Sequence, residues 1–392
     1  MMAKLKVAIV HDYLNQMGGA ERVVGVMRQM FPDAPIYTTI ADRKGLLPEL
    51  VGADIRTTWM QRIPGVLKYH KLLFWLYPLA IRSIKLDGYD VVLSSSSAYA
   101  KGAARPEQGL HICYCHTPMR FAWEFDTYME KMRVPGIVKQ LSRLLLGPVK
   151  RWDMNNSAKV DHLIANSTIV QRRIRENYGL PSQIIFPPVN IERFAIAEEE
   201  PEPYYLVVSR LVSYKRIDLA VEACTKLGER LIVIGDGPDR ARLQELAGPT
   251  VEFAGRLPDE EVTAYMQRCQ ALFFPGKEDF GITPLEANAC GRPVIAYKDG
   301  GALDTIQEGK NGVYFPVQTV RAVMDAVEDF KQITWDSKVV RDCALQFSEQ
   351  HFMDAIHESI AAAMSSGGTA KETARRRWKP REEHAVREGA AR

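Results

Sequence analysis

Six stretches of this 392-residue chain are dominated by apolar residues with little polar alternation: Lys6–Val10, Asp90–Leu93, Leu110–Tyr114, Tyr204–Ser209, Leu231–Ile234 and Ala271–Phe274. A strand that alternates has one dry face, whereas a strand without alternation is dry on both. Such strands belong to parallel sheets covered by helices on either side. In the second half the runs alternate with helical patterns such as Ile217–Leu227, the succession of a doubly wound α/β sheet. The chain is long for one core, so two domains are expected. The acidic, proline-broken run from Ala197 through Glu200 to Pro203 reads as an exposed linker. The boundaries that follow are 1–197 for a first Rossmann-like domain and 198–350 for a second. Residues 351–365 form a last helix, and 366–392 a tail. The tail is poor in apolar residues and carries Arg375, Arg376 and Arg377, the composition of a disordered segment.

The apolar N-terminal run is broken at once by His11 and Asp12, so it reads as a first strand and not a leader peptide. No stretch approaches the ~20 apolar residues of a membrane span, and the cytosol is the expected compartment. The six cysteines include no second pair at zinc spacing, and the sequence contains no Asp-x-Asp; no metal or other cofactor is expected. The net charge of +3 conceals about +10 on residues 1–197, −11 on 198–365 and +4 on the tail. The basic half favours an anionic acceptor or a membrane surface. No nucleic-acid partner is expected.

The chemistry concentrates in Gly276–Gly291. The run Ala271–Phe274 ends at Pro275, Glu278 and Asp279 follow, and a turn through Gly281 leads to Thr283-Pro284-Leu285-Glu286. That order predicts a strand, a tight turn and a helix with Thr283 as N-cap and Pro284 at its first position. Free amides and the helix dipole there suit an anion. Glu286 has two readings. It either closes a capping box with Thr283 or holds a ligand. Glu278 fits no cap and is read as a ligand-binding carboxylate. Phosphate on amides and hydroxyls on carboxylates would suit a nucleotide sugar.

The wording EDFGITPLE, then A-x-A-C-G-R-P-V-I-A and Gly300-Gly301, resembles the donor site of retaining glycosyltransferases of family 4. The resemblance covers residues 1 to about 365 and implies the GT-B fold, two facing Rossmann-like domains with a cleft between them, the first binding acceptor and the second donor, with the last helix, 351–365, crossing back to the first domain. It implies further roles, residue by residue. Arg210 and Lys215, in S-R-L-x-x-x-K-R, would clamp the donor diphosphate. Gly281, Ile282 and Thr283 would offer amides to phosphate or sugar. Glu278 would orient the sugar, and Glu286 would hold the ribose. Arg256 and Leu257 would lie near the base. Gly18 and Gly19, after the first strand, would let the backbone approach the diphosphate, or form only a tight turn. His116, in C-H-T-P-M-R-F-A-W, would contact the donor sugar near its reacting carbon; a structural histidine is the alternative. That wording is similar to bacterial mannosyltransferases of polysaccharide and lipopolysaccharide assembly.

Two further segments stand apart. Residues 59–86 hold Arg62, Lys68, Lys71, Arg82 and Lys85 around Leu72–Tyr77, and residues 131–152 repeat the mixture with Lys139, Arg143, Lys150 and Arg151. Each is read either as a membrane-interface segment or as a helix covering a core.

The activity implied is retaining hexosyl transfer from a nucleotide sugar, GDP-mannose by preference, to a saccharide or lipid-linked acceptor. It would be metal-independent and would proceed by front-face attack. An epimerase of the same architecture and a non-catalytic nucleotide-sugar-binding partner are the alternatives; the incomplete glycine fingerprint disfavours a nicotinamide enzyme.

Overall fold

A computed structural model describes residues 5–125, 140, 143 and 146–365. The tail 366–392 and most of the basic stretch beginning at 131, Lys139 included, lie outside the described residues.

The apolar runs form two parallel sheets. The first is built from β1 (Val7–His11), β2 (Ile36–Thr38), β3 (Ile55–Thr57), β4 (Val91–Ser96), β5 (Leu110–Cys115), β6 (His162–Ala165) and β7 (Gln183–Ile184), in the order 3-2-1-4-5-6-7. The second contains β8 (Tyr205–Val208), β9 (Leu231–Ile234), β10 (Val251–Gly255), β11 (Ala271–Phe274), β12 (Val294–Tyr297) and β13 (Gly312–Phe315), in the order 10-9-8-11-12-13. Their central strands are buried on both faces, as unbroken apolar composition requires. Each sheet changes winding direction once, between β1 and β4 and between β8 and β11. Connections leave in opposite directions at such a switch point, which opens a crevice at the carboxyl ends of the strands. The loops after β1, β4, β8 and β11 are therefore the ones positioned to bind.

The last helix, Glu349–Ser365, packs on the first sheet and not on the second. Phe352, Ile356 and Ile360 join the core of β1, β2, β4 and β5, and Phe352 meets the Tyr114 ring edge-on at 5.5 Å.

Residues 59–86 cover a core with part of their length. Val66, Tyr77, Ala80 and Ile81 fill a core beside the first sheet, from short helices at Val66–Tyr69 and Tyr77–Arg82. The intervening faces do not. Trp59 is 40% exposed, Trp75 55% and Leu79 60%, with Lys68 and Lys71 exposed among them. One face covers a core, and the other presents aromatic and basic side chains to solvent.

Candidate active site

Loops from both domains line one cleft of about 620 Å³. The first domain contributes Tyr13, Gly19, Tyr99 and His116, and the second contributes Glu278 and Ile282.

The loop after β11 is held by close backbone packing. Gly301 donates its N–H to the Glu278 carbonyl at 2.9 Å, and a Cβ on Gly301 would stand 2.2 Å from the Phe280 backbone. Gly281 adopts φ +88°, with the Phe274 ring 2.4 Å from where its Cβ would be. Only glycine satisfies both the left-handed backbone and that contact. The turn leaves the N–H groups of Gly281, Ile282 and Thr283 with no hydrogen-bond acceptor among the described residues. Amides in that state at a cleft edge are anion donors.

The expected N-cap is displaced by one residue. The helix spans Thr283–Ala289 with Ile282 as N-cap, Thr283 is already helical, and no side-chain cap forms. The capping-box reading of Glu286 is thereby overturned. Ile282 has αR backbone angles, so Thr283 does not occupy the extended cap position from which its hydroxyl would reach the third helical residue. Glu286 instead accepts from Arg22 Nη1 of the facing domain at 3.0 Å. Burial raises the Glu286 pKa, and Arg22 offsets only part of that.

Glu278 pairs with Lys215, which follows β8. Arg210, in the same loop as Lys215, is exposed and pairs with no carboxylate among the described residues. Gly237 supports this loop from below, since a Cβ there would lie 2.2 Å from the Leu211 carbonyl. Gly19 faces Ile282 across the domains, with 3.2 Å between a would-be Cβ and Ile282 Cδ1. Gly18 donates its N–H to Glu21 Oε2 at 3.1 Å. Arg256 is exposed, and Leu257 packs against the second-domain core; neither lines the cleft. His116 lines it and contacts Ser95 Oγ through Nε2 at 2.8 Å. Burial, and next the charge of His11, pushes its pKa down to about 3, so the ring is neutral.

Sequence reasoning left out a charged contact between the domains. Asp279 receives Arg120 and, at 2.5 Å, Arg173 Nη1, both from the first domain. Arg173 also meets Glu124 at 3.1 Å. Burial alone would raise the Asp279 pKa; the two guanidinium groups overcome it and hold the carboxyl below its usual range. Asp304 accepts the Thr168 N–H at 2.9 Å, a third cross-domain contact. The only local signal for Asp279 was its place beside Glu278. Its partners lie 159 and 106 residues away. Among the described residues no group of three or more His, Cys, Asp or Glu side chains is placed to hold a metal ion.

Two family models match in succession, Glycosyltransferase Family 4 over residues 17–193 and Glycosyl transferases group 1 over 189–340. The chain is a family 4 glycosyltransferase of the GT-B fold. This glycosyltransferase is 32% identical over 199 residues to the GDP-mannose-dependent alpha-(1-6)-phosphatidylinositol monomannoside mannosyltransferase of Mycolicibacterium smegmatis, covering 44% of this chain and 47% of that one. It is 23% identical over 423 residues to the alpha-1,3/1,6-mannosyltransferase alg2 of Schizosaccharomyces pombe, covering 93% and 81%. The matched stretch spans about half the length of the first curated relatives. In fold it superposes on Anabaena HepE, solved in complex with UDP. The TM-score is 0.67 at 16% identity, over 91% of this chain and 100% of that one.

Proposed function

We propose that this glycosyltransferase moves mannose from GDP-mannose, with retention of configuration, to a lipid-linked saccharide in cell-surface polysaccharide assembly. The observation that carries the transfer chemistry is the Lys215–Glu278 pair, whose Glu278 lines from the second domain the same cleft that His116 lines from the first. Arg210, Lys215 and the free amides at Gly281–Thr283 neutralise charge as the nucleoside diphosphate departs. Once Lys215 turns to phosphate, Glu278 is released to the sugar hydroxyls. Glu286 exchanges Arg22 for the ribose hydroxyls. His116 contacts the sugar on the first-domain side, and the acceptor attacks from the face the diphosphate leaves. Mannose and guanine are supported by the naming of two relatives as GDP-mannose-dependent.

The test is a thermal-shift panel of GDP, UDP, ADP and their sugars, followed by labelled transfer to a lipid-linked saccharide. GDP-mannose at about 100 times its dissociation constant should stabilise the fold by ~2.7 kcal/mol, and the product should be an α-mannoside. Stabilisation by UDP-sugars alone would replace the donor. Free sugar formed without acceptor would mark an epimerase, and binding without turnover a non-catalytic partner.

The lipid-linked acceptor draws support from residues 59–86. That segment contains five Lys or Arg and no Asp or Glu. Its Lys71, Leu72, Phe74 and Tyr77 also line the cleft, so one apolar, basic surface runs from solvent to the reaction site. Vesicles with anionic lipid should bind the protein, and binding should weaken as salt rises, by about 1 kcal/mol for each cation screened. Charge reversal at Arg62 and Lys68 should abolish binding while the melting temperature holds. Equal binding to neutral vesicles, or none to either, would leave this surface without a membrane role.

A further inference from the structure

Parallel pairing of β1 with β4 sets His11 opposite Ser95, and His116 is the first residue beyond β5 on the other side of β4. His11, Ser95 and Glu21 are each at most 2% exposed. A buried carboxylate and imidazole cost free energy unless paired, and a doubly wound sheet has no need of them at its switch point.

Their hydrogen bonds have a direction. His11 Nδ1 lies 3.0 Å from the Ser95 carbonyl and 3.1 Å from its hydroxyl oxygen. A carbonyl only accepts, so Nδ1 carries the proton and donates. Having accepted from His11, the Ser95 hydroxyl still has its own proton and is placed to give it to His116 Nε2 at 2.8 Å. His116 is neutral and bears one ring proton. With Nε2 accepting, that proton is on Nδ1.

Glu21 completes the set. Its Oε1 is 3.9 Å from His11 Nε2, and its Oε2 accepts the Gly18 N–H. One carboxylate therefore bonds the glycine turn and stands within ion-pair range of the imidazole, without a hydrogen bond to it among the described residues. Burial lowers the His11 pKa, but Glu21, then Asp12 and the Ser95 carbonyl, raise it above the ordinary value overall. Burial, and next His11, holds the His116 pKa down, against the opposite pull of Glu21 and Asp279.

We propose that Glu21, His11 and Ser95 act as positioning residues that fix His116 in its Nδ1–H tautomer, making it an N–H donor to a hydroxyl oxygen of the bound donor sugar. The sugar contact rests on the transfer reading above; the tautomer does not.

Histidine nitrogen NMR of the free protein reads the tautomer without turnover. Wild-type His116 should show a protonated Nδ1 and a bare Nε2. Ser95→Ala and His11→Phe should mix the tautomers and lower kcat by about 10- to 100-fold, with the KM for donor nearly unchanged. His11→Asn, whose amide nitrogen replaces Nδ1 as donor to Ser95, should recover most of the rate. That variant, with the wild-type spectrum, keeps the test open if His11→Phe does not fold. A wild-type His116 protonated on Nε2 would overturn the proposal. So would an Asn variant as slow as Phe, or losses confined to KM. A protein with the expected tautomer that transfers nothing would overturn the transfer reading alone and leave the positioning of His116 as measured.

Discussion

Lys215→Ala should lower the transfer rate by about 10²- to 10³-fold, the scale for losing one preorganised charge partner of a leaving group. Arg210→Ala should do the same. Magnesium or manganese should restore neither variant, and excess EDTA should leave the wild type unaffected. The reasoning is electrostatic. The departing diphosphate gathers negative charge that a cation must meet. The chain supplies two side-chain cations after β8, and three amides at the turn after β11 that have no acceptor among the described residues. Lys215 is paired with Glu278, so its removal also leaves a carboxylate alone. Both side chains remain about a fifth exposed, so water tempers that cost to about 1 kcal/mol of stability. Glu278→Ala should therefore lose turnover far more than melting temperature, and the Lys215→Ala/Glu278→Ala pair should be non-additive in rate. Steady-state kinetics with and without chelator would decide the point. An enzyme silenced by EDTA and revived by manganese would sink this account of the leaving group.

Asp279→Asn should open the domains. The substitution keeps shape and removes the charge that holds Arg120 and Arg173 together, leaving two half-buried cations of which, among the described residues, only Arg173 keeps a carboxylate, Glu124. Solvent reaches both guanidinium groups and screens the loss, so it costs about 1–2 kcal/mol, and the cost falls first on the contact between domains. Small-angle scattering should show a larger radius of gyration, and kcat/KM should fall with it. The pH dependence follows in sign. The folded pKa of Asp279 is depressed, so its contribution is fully present above the unfolded value of about 4. It is lost as pH falls through the folded pKa. Closure should then be flat through neutrality and fail only in acid, a state the Asn variant should imitate at pH 7. A variant as compact and stable as wild type would remove Asp279 from the closing contact.

How much of this was legible follows from range. Apolar runs are local, so the strands at Val7–His11, Leu231–Ile234 and Ala271–Phe274 could be read directly, and with them a parallel, two-sided burial. The glycine turn at 281 is local too, because a left-handed backbone shows itself as a residue type. Even a local signal misled at Thr283-x-x-Glu286, where the pattern of a capping box stands over an N-cap backbone at Ile282 that cannot form one. The charge pairs that join the domains were out of reach. Glu286 meets Arg22 across 264 residues, and Asp279 meets Arg120 across 159. A charged residue at a cleft and one on an open surface look alike in a sequence, since no period or cap marks either. His11 and Ser95, 84 residues apart, become neighbours only through the register of β1 on β4. The sequence alone determined the strands, the turns and the family of the donor loop. The tertiary structure decided which charges meet, because an ion pair depends on distance in space, and only the docking of two sheets sets that distance.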